Sequence, residues 1–343
     1  MLVLLPAAVL LAMAVGSVRI GVGDVVRTLA LALARVLGTG GQGGAPAPDQ
    51  EVLETILLRV RLPRVILSCL VGAALALAGT AFQAVFRNAL ADPYILGASS
   101  GGALGAAAAV ILGLPLASAG FAAAPALAFV GALAAVGIAY WLARRAGGVS
   151  TLGLLLAGVV VGTWASSLLS LLIYFSGRFL AQIVFWLMGG FGGTSWWSVA
   201  AALPYMVAGA AVIGLRVKDL NALSLGDETA LGLGVDAERS RRTLIAGASL
   251  LTAASVAVSG PIGFVGLMVP HLVRTLVGAD HWHVLPGSAA AGAVLMLLAD
   301  TLARTVIAPA EVPVGIVTAL FGGPFFLWVL SRRGRGRLLG GGR

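Results

Sequence analysis

Residues 93–143 run for 51 positions without an Asp, Glu, Lys or Arg. A helix at the surface of a soluble protein needs a polar face opposite its apolar stripe, and a run of this length has none to offer. Further charge-free runs cover 1–18, 65–86, 146–177, 179–215, 243–273, 281–299 and 312–331. About 20 apolar residues cross a bilayer, so the pattern is that of a polytopic membrane protein. Composition agrees: 59% of the 343 residues are hydrophobic and 10% are charged, against about 25% charged in soluble domains. Soluble enzymes, nucleic-acid binders and disordered scaffolds are excluded. The net charge of +9 reads as basic loops on the cytoplasmic side of a membrane.

Gly and Pro punctuate helices, and they divide the longest runs at Gly113-Leu114-Pro115 and Ser259-Gly260-Pro261. Ten helices follow, at about 1–18, 65–86, 95–113, 121–143, 151–175, 196–216, 243–259, 264–278, 286–308 and 312–331. A short half-helix is expected near 180–190. The chain is read as one all-α transmembrane domain over 1–343, with about ten spanning helices. The uncharged 1–18 has no basic n-region, which favours a first span over a cleaved signal peptide. An even count puts both termini on one side. Fourteen of the 22 Lys and Arg then lie on the side of the termini, including a basic tail at 332–343. Positive charge collects inside, so both ends are expected to be cytoplasmic. The first loop opposes this with Arg19, Arg27, Arg35, Arg59, Arg61 and Arg64.

Two segments are not apolar. Residues 37–50, rich in Gly, Ala and Pro, read as a flexible insert in the outer loop. Residues 216–242 are the most polar stretch inside. Asp219 precedes one helical turn at 220–224, and Ser224 or Asp227 caps a second at 228–232. Leu220, Leu223, Leu225 and Leu231 on such short helices are expected to face the cytoplasm as a docking surface for another protein. The alternative is a loop packed on its own bundle.

Motifs for chemistry are few. The single lysine, Lys218, lies between Val217 and Asp219, so no Walker A loop is possible. ATP-driven transport would need a separate ATPase chain. Gly97-Ala98-Ser99-Ser100-Gly101 fits G-x-S-x-G, but a hydrolase elbow needs a strand before it, and small-residue helix packing explains the match. Gly97, Gly101 and Gly105 recur every four residues, as do Gly158 and Gly162. His281 and His283 are two apart without a ligand cluster and read as a solvated loop, so no metal site and no cofactor are expected. Cys69 is alone, which excludes an internal disulfide. Asp300 and Arg304 sit four apart inside a span, where they can pair on one helix face.

Several stretches together carry a resemblance. Arg61-Leu-Pro-Arg64 is followed by Gly79-Thr-Ala-Phe-Gln83-Ala-Val-Phe-Arg87-Asn88-Ala-Leu-Ala-Asp-Pro93 and Leu96-Gly-Ala-Ser-Ser-Gly101. Later come Leu155-Leu-Ala-Gly158, Trp186-Leu-Met-Gly-Gly-Phe191, Leu225-Gly-Asp-Glu228, Gly260-Pro-Ile-Gly-Phe-Val-Gly-Leu-Met-Val-Pro-His271, Asp300-Thr-Leu-Ala-Arg304 and Glu311-Val-Pro-Val-Gly315. The set resembles the FecCD-type permeases of type II ABC importers, which carry iron–siderophore complexes, haem or cobalamin.

The resemblance implies the type II ABC importer permease fold, working as a homodimer in the bacterial plasma membrane. It implies two ATP-binding subunits below and an extracytoplasmic substrate-binding protein above. Coupling helices are implied at 219–239, centred on Leu223, Leu225, Gly226, Asp227 and Glu228. The implied cytoplasmic gate comprises Asn88, Leu90, Ser150 and Thr151. Arg61, Arg64 and Arg304 are implied to face outward and pair with carboxylates of the binding protein. The family's short basic leader is absent, and the first outer loop is longer than expected. An ion-coupled secondary transporter and a membrane hydrolase using Ser99 are the rival readings.

Overall fold

The computed structural model describes residues 4–16, 20–37, 48–114, 123–146 and 150–339. It is helical throughout, with α1 at Leu4–Ala14, α2 at Val22–Val36, α3 at Pro48–Glu54 and α4 at Leu62–Val85. Next are α5 at Ala98–Ile111, α6 at Ala123–Arg145, α7 at Thr151–Tyr174, α8 at Leu180–Leu187 and α9 at Trp196–Gly214. The connector carries α10 at Val217–Leu225 and α11 at Asp227–Gly232. The chain closes with α12 at Ala237–Ser259, α13 at Val265–Val277, α14 at His281–Thr305 and α15 at Val314–Leu339.

Each of the ten expected spans has its helix, and the expected half-helix is α8. Among the described residues six helices are long and apolar enough to cross a membrane: those over Gln50–Val85, Ala123–Arg145, Thr151–Tyr174, Trp196–Gly214, Ala237–Ser259 and His281–Thr305. The boundaries move where polar caps outrank hydropathy. Helix α12 starts at Ala237 because the Asp236 carboxylate accepts the Arg239 amide at 2.9 Å, a charged first turn that hydropathy assigns to a loop. Helix α14 starts at His281 because Asp280 accepts the Trp282 amide at 3.0 Å.

The first loop is where the structure departs furthest from expectation. Residues 22–36 form α2, and α3 runs through a π-helical stretch, Thr55–Arg61, into α4. Arg35 grips Glu54 with two hydrogen bonds of 2.8 and 2.9 Å, joining α2 to α3. Charge-free runs do not reveal α2, because Asp24, Arg27 and Arg35 break the uncharged run in sequence while sharing one face of the helix. Residues 38–47 of the expected insert lie outside the described residues, as do 340–343 of the basic tail. The tail up to Leu339 continues α15.

Helices α4 and α12 form the buried centre, and α6, α7 and α9 lie around them. Antiparallel α4 and α14 pack along their length. The small-residue motif does its work between α5 and α6. A Cβ at Gly101 would sit 2.4 Å from the Gly131 carbonyl oxygen, and one at Gly105 would sit 2.0 Å from that of Leu127. Such backbone-to-backbone approach is how helices associate without a hydrophobic drive between them. Gly97 caps α5 at φ +84°, so this G-x-S-x-G is a helix start and not a nucleophile elbow.

Candidate functional site

The α10–α11 connector is a folded unit. Val217, Leu220, Ala222 and Leu223 are buried, and α10 packs on α4 and α14. The expectation that Leu220 and Leu223 face the cytoplasm is therefore corrected: at 0% and 1% exposure they fix the unit to the bundle. At a spacing of three residues they share one face of α10. Leu225, Leu231 and Leu233 stay exposed, at 68%, 72% and 63%, beside exposed Asp227 and Glu228. Leu225 at the end of α10, Leu231 on α11 and Leu233 just after it form an apolar surface exposed among the described residues.

Ion pairs brace the unit from behind. Arg216 pairs with Asp219 at 3.0 Å, and the Ser240 hydroxyl donates to the same carboxylate at 2.7 Å. Arg241, on α12, donates to both Asp227 oxygens at 2.9 Å. Gly226 joins the two helices at φ +116°, a value strained for any side chain. The Arg87 guanidinium lies beside it, 3.3 Å from where a Cβ would stand.

Arg87 itself closes α4. Its amide donates to Ala84 O at 3.1 Å, and the Asn88 amide donates to Gln83 O at 3.1 Å. This is a Schellman end, normally completed by glycine. Arginine holds that position at φ +49°, so the segment after α4 is aimed at the α10–α11 junction. Asn88 turns the segment by accepting the Leu90 amide at 2.9 Å, leaving Leu90 42% exposed. Ser150 caps α7 by accepting the Gly153 amide at 3.0 Å, next to Thr151. Among the described residues no hydrogen bond joins Asn88 or Leu90 to Ser150 or Thr151.

Beyond Leu90 the chain re-enters the protein. The Tyr94 hydroxyl donates to Ile262 O and accepts the Ile262 amide, both at 3.0 Å. Asp92 accepts the Tyr94 amide at 2.7 Å. Burial pushes the Asp92 carboxyl up to about 6, against the Tyr94 amide, which lowers it. The folded chain thus holds this proton more tightly than the unfolded chain. Stability is lost as pH rises from about 4 to 6 and stays lost above that. An Asp92→Asn variant keeps the acceptor and removes the buried charge. It should melt several degrees above wild type at pH 7.5, equivalent to about 3 kcal/mol. Melting in detergent at pH 4 should show no difference between the two proteins.

The opposite ends of α4 and α14 carry the second site. Arg64 Nη2 donates to Asp300 at 2.8 Å, and Arg64 Nη1 donates to Glu311 at 2.9 Å. Arg304 Nε pairs with the other Asp300 oxygen at 3.1 Å. Arg304 also donates to Ala12 O at 3.2 Å, and Arg61 donates to Met13 O, so the end of α1 is held by two guanidiniums. Arg61 and Arg304 are 5% exposed, and the Arg64 side chain is 12% exposed. Internal carboxylates or backbone carbonyls already occupy all three guanidiniums. A charge inside a membrane demands such partners. A cavity of about 480 Å³ adjoins the cluster, lined by Arg64, Glu311, Trp186, Phe191, Thr194 and Ser198 among others.

His281 is likewise not in a solvated loop. It is 3% exposed in the first turn of α14, with Nδ1 2.7 Å from Asn221 Oδ1. His283, on the other hand, is exposed, 3.7 Å from Asp280. Asn221, Glu311 and Gln83 are the residues whose roles sequence reasoning passed over. Gln83 accepts from Arg274 and donates to Gly266 O and Leu267 O at 3.2 Å. Only the place of Gln83 and Glu311 within the family-like motifs signalled them; nothing in the sequence signals Asn221.

Known proteins resemble this chain in sequence and fold. A profile of the FecCD transport family matches residues 4–332. A cobalamin import system permease protein, BtuC of Halobacterium salinarum, is 45% identical over 298 residues, covering 85% of this chain and 76% of that one. A hemin transport system permease protein, HmuU of Yersinia pestis, is 44% identical over 287 residues, covering 81% and 84%. A Bacillus subtilis ABC transporter permease, YvrB, is 41% identical over 306 residues, covering 89% and 87%. A metal-chelate type ABC transporter solved in an inward-facing conformation superposes with a TM-score of 0.80 at 32% identity, over 96% of this chain and 97% of that one. Sequence and fold agree that the chain belongs to the FecCD transport family and is a permease of an ABC transporter.

Proposed function

We propose that this chain is the membrane subunit of an importer for a bulky metal chelate (an iron–siderophore complex, haem or cobalamin) and that a separate ATPase drives it. The observation that carries the reading is the α10–α11 unit, whose leucines 225, 231 and 233 stand exposed on an ion-paired base. With Lys218 its only lysine, the chain holds no phosphate-binding loop of its own. Two copies of the chain line the pathway between them in the plasma membrane, with their termini in the cytoplasm. Each copy seats α10–α11 on one ATP-binding subunit. An extracytoplasmic binding protein delivers the chelate to the opposite face.

Closure of the ATPase pair displaces α10–α11, and the pathway alternates between outward- and inward-open. The lever is contact that differs between the two states. Asn88 and Leu90, with Ser150 and Thr151, form the cytoplasmic gate, and Arg87 lies between the first pair and Gly226. Arg61, Arg64 and Arg304 hold the shape of the outer face on which the binding protein sits. The substrate class rests on what the relatives carry by name and on the cavity beside Arg64.

Glu228→Arg tests the reading in vesicles holding the full complex. It should cut stimulated ATP hydrolysis and chelate uptake at least tenfold while the subunit still inserts and folds. Wild-type uptake by this variant would remove the docking role. Uptake driven by an ion gradient without ATP would favour the secondary-transporter reading.

A further inference from the structure

Besides the apolar packing of α10 on α4 and α14, polar side chains grip the connector at two helices, and only one of these, α12, comes next along the chain. Helix α11 is tied to α12 by Arg241 and Asp227, and α12 follows directly in sequence. The second grip is Asn221, on α10, which reaches the start of α14 across 60 residues of sequence. Both the oxygen and the nitrogen of its amide are used. Oδ1 accepts the His281 backbone amide at 3.0 Å and faces His281 Nδ1 at 2.7 Å. Nδ2 donates to Asp280 Oδ1 at 2.8 Å. That same carboxylate oxygen caps α14 through the Trp282 amide. The two amide bonds hold the Asp280 carboxyl below the usual aspartate range, so the contact is intact at neutral pH.

Helix α14 leads from this contact to the other site. Asp280 and Asp300 are twenty residues apart, about 30 Å along a helix, which is the thickness of the hydrocarbon core. Asp300 there meets Arg64 and Arg304 beside the cavity. One helix thus bears the connector at one end and the outer ionic cluster at the other. We propose that Asn221 is the positioning residue that locks α10 to α14, so that motor-driven displacement of the connector moves α14 and its far ionic cluster and is not lost as sliding at the apolar contact between the two helices. This rests on the docking role of α10–α11. Without Asn221 the connector still folds, because Leu220, Leu223 and the Arg241 pair remain, but apolar packing is non-directional and lets α10 slip on α14.

The test reverses the contact. Asn221→Asp sets a second carboxylate against Asp280 and breaks the lock. The readout is chelate transported per ATP hydrolysed in vesicles with the ATPase and binding protein. The variant should lose at least tenfold in this ratio while ATP hydrolysis persists. A merely structural role would reduce the amount of folded complex and leave the ratio unchanged. A wild-type ratio in the folded variant overturns the proposal. If Asn221→Asp does not fold, Asn221→Ala removes the lock without a charge clash, and a wild-type ratio there overturns it equally. Measuring Glu228→Arg in parallel separates the two ideas. Retained coupling in Glu228→Arg rejects the docking, whereas uncoupling there with normal coupling at position 221 rejects only the lock.

Discussion

Asp300→Ala should destabilise the protein by about 3–5 kcal/mol, the usual loss when one partner of a buried ion pair is removed. Asp300 is fully buried and is the carboxylate that Arg64 and Arg304 share. Its loss leaves two guanidiniums close together, with Glu311 satisfying only one of them. Thermal unfolding in detergent reads the effect directly, and a wild-type melting temperature would show that the cluster contributes nothing. A second variant separates charge from packing. Asp300→Ala with Arg64→Met and Arg304→Met removes the stranded charges, and should recover much of the loss, since hydrophobic replacement of a whole buried cluster is often neutral. The folded triple variant should still transport poorly, because α1, α4 and α14 would have lost the contacts that set this end of the bundle.

Gly79→Ala should abolish folding. A Cβ there would stand 1.9 Å from the Gly266 carbonyl oxygen, where α4 crosses α13. The obstacle is backbone, so no rotamer relieves it, and α4 and α13 must separate by more than an ångström. Gly266 is itself wedged against Pro93 and the Leu75 carbonyl, so α13 has nowhere to retreat. Overpacking a tight core costs about 1–3 kcal/mol when side chains can yield, and here they cannot. The expected outcome is loss of the monodisperse gel-filtration peak. Gly137→Ala is the matched control: on exposed α6 its Cβ meets nothing within 4 Å, and it should purify in wild-type yield. A folded, active Gly79→Ala protein would mean that the α4–α13 crossing is looser than the structure has it.

The spans were legible because their signal is local. Twenty uncharged residues identify themselves wherever they fold, and α4 to α7 lie within a few residues of their expected bounds. The polar connector was legible for the same reason: a charged stretch between two spans stands out. Its caps were not: Asp219 and Asp227 lie inside the first turns of α10 and α11, and neither helix has a side-chain cap. What escaped was the environment of individual side chains. Leu223 and Leu225 are two residues apart in one short helix, yet one is 1% exposed and the other 68%. Amphipathic spacing separates them, but the side that meets the bundle is set by α4 and α14. Helix α2 escaped because Asp24, Arg27 and Arg35, which share one face of the helix, cut the sequence into uncharged pieces too short to cross a bilayer.

The arginines show the same division most plainly. That Arg61, Arg64 and Arg304 sit near helix ends on one face of the membrane follows from the order of spans alone. That they are buried does not, because the groups that permit it are distant in the chain. Asp300 lies 236 residues from Arg64, and Glu311 lies 247. Without those partners desolvation would keep each guanidinium in water; with them the charges turn inward and bind helices together. The apolar runs by themselves determined a membrane bundle with a polar connector. Tertiary structure alone decided which charges became internal ties and which leucines stayed open, because the free energy of burying a group belongs to the neighbours that surround it and not to the residue.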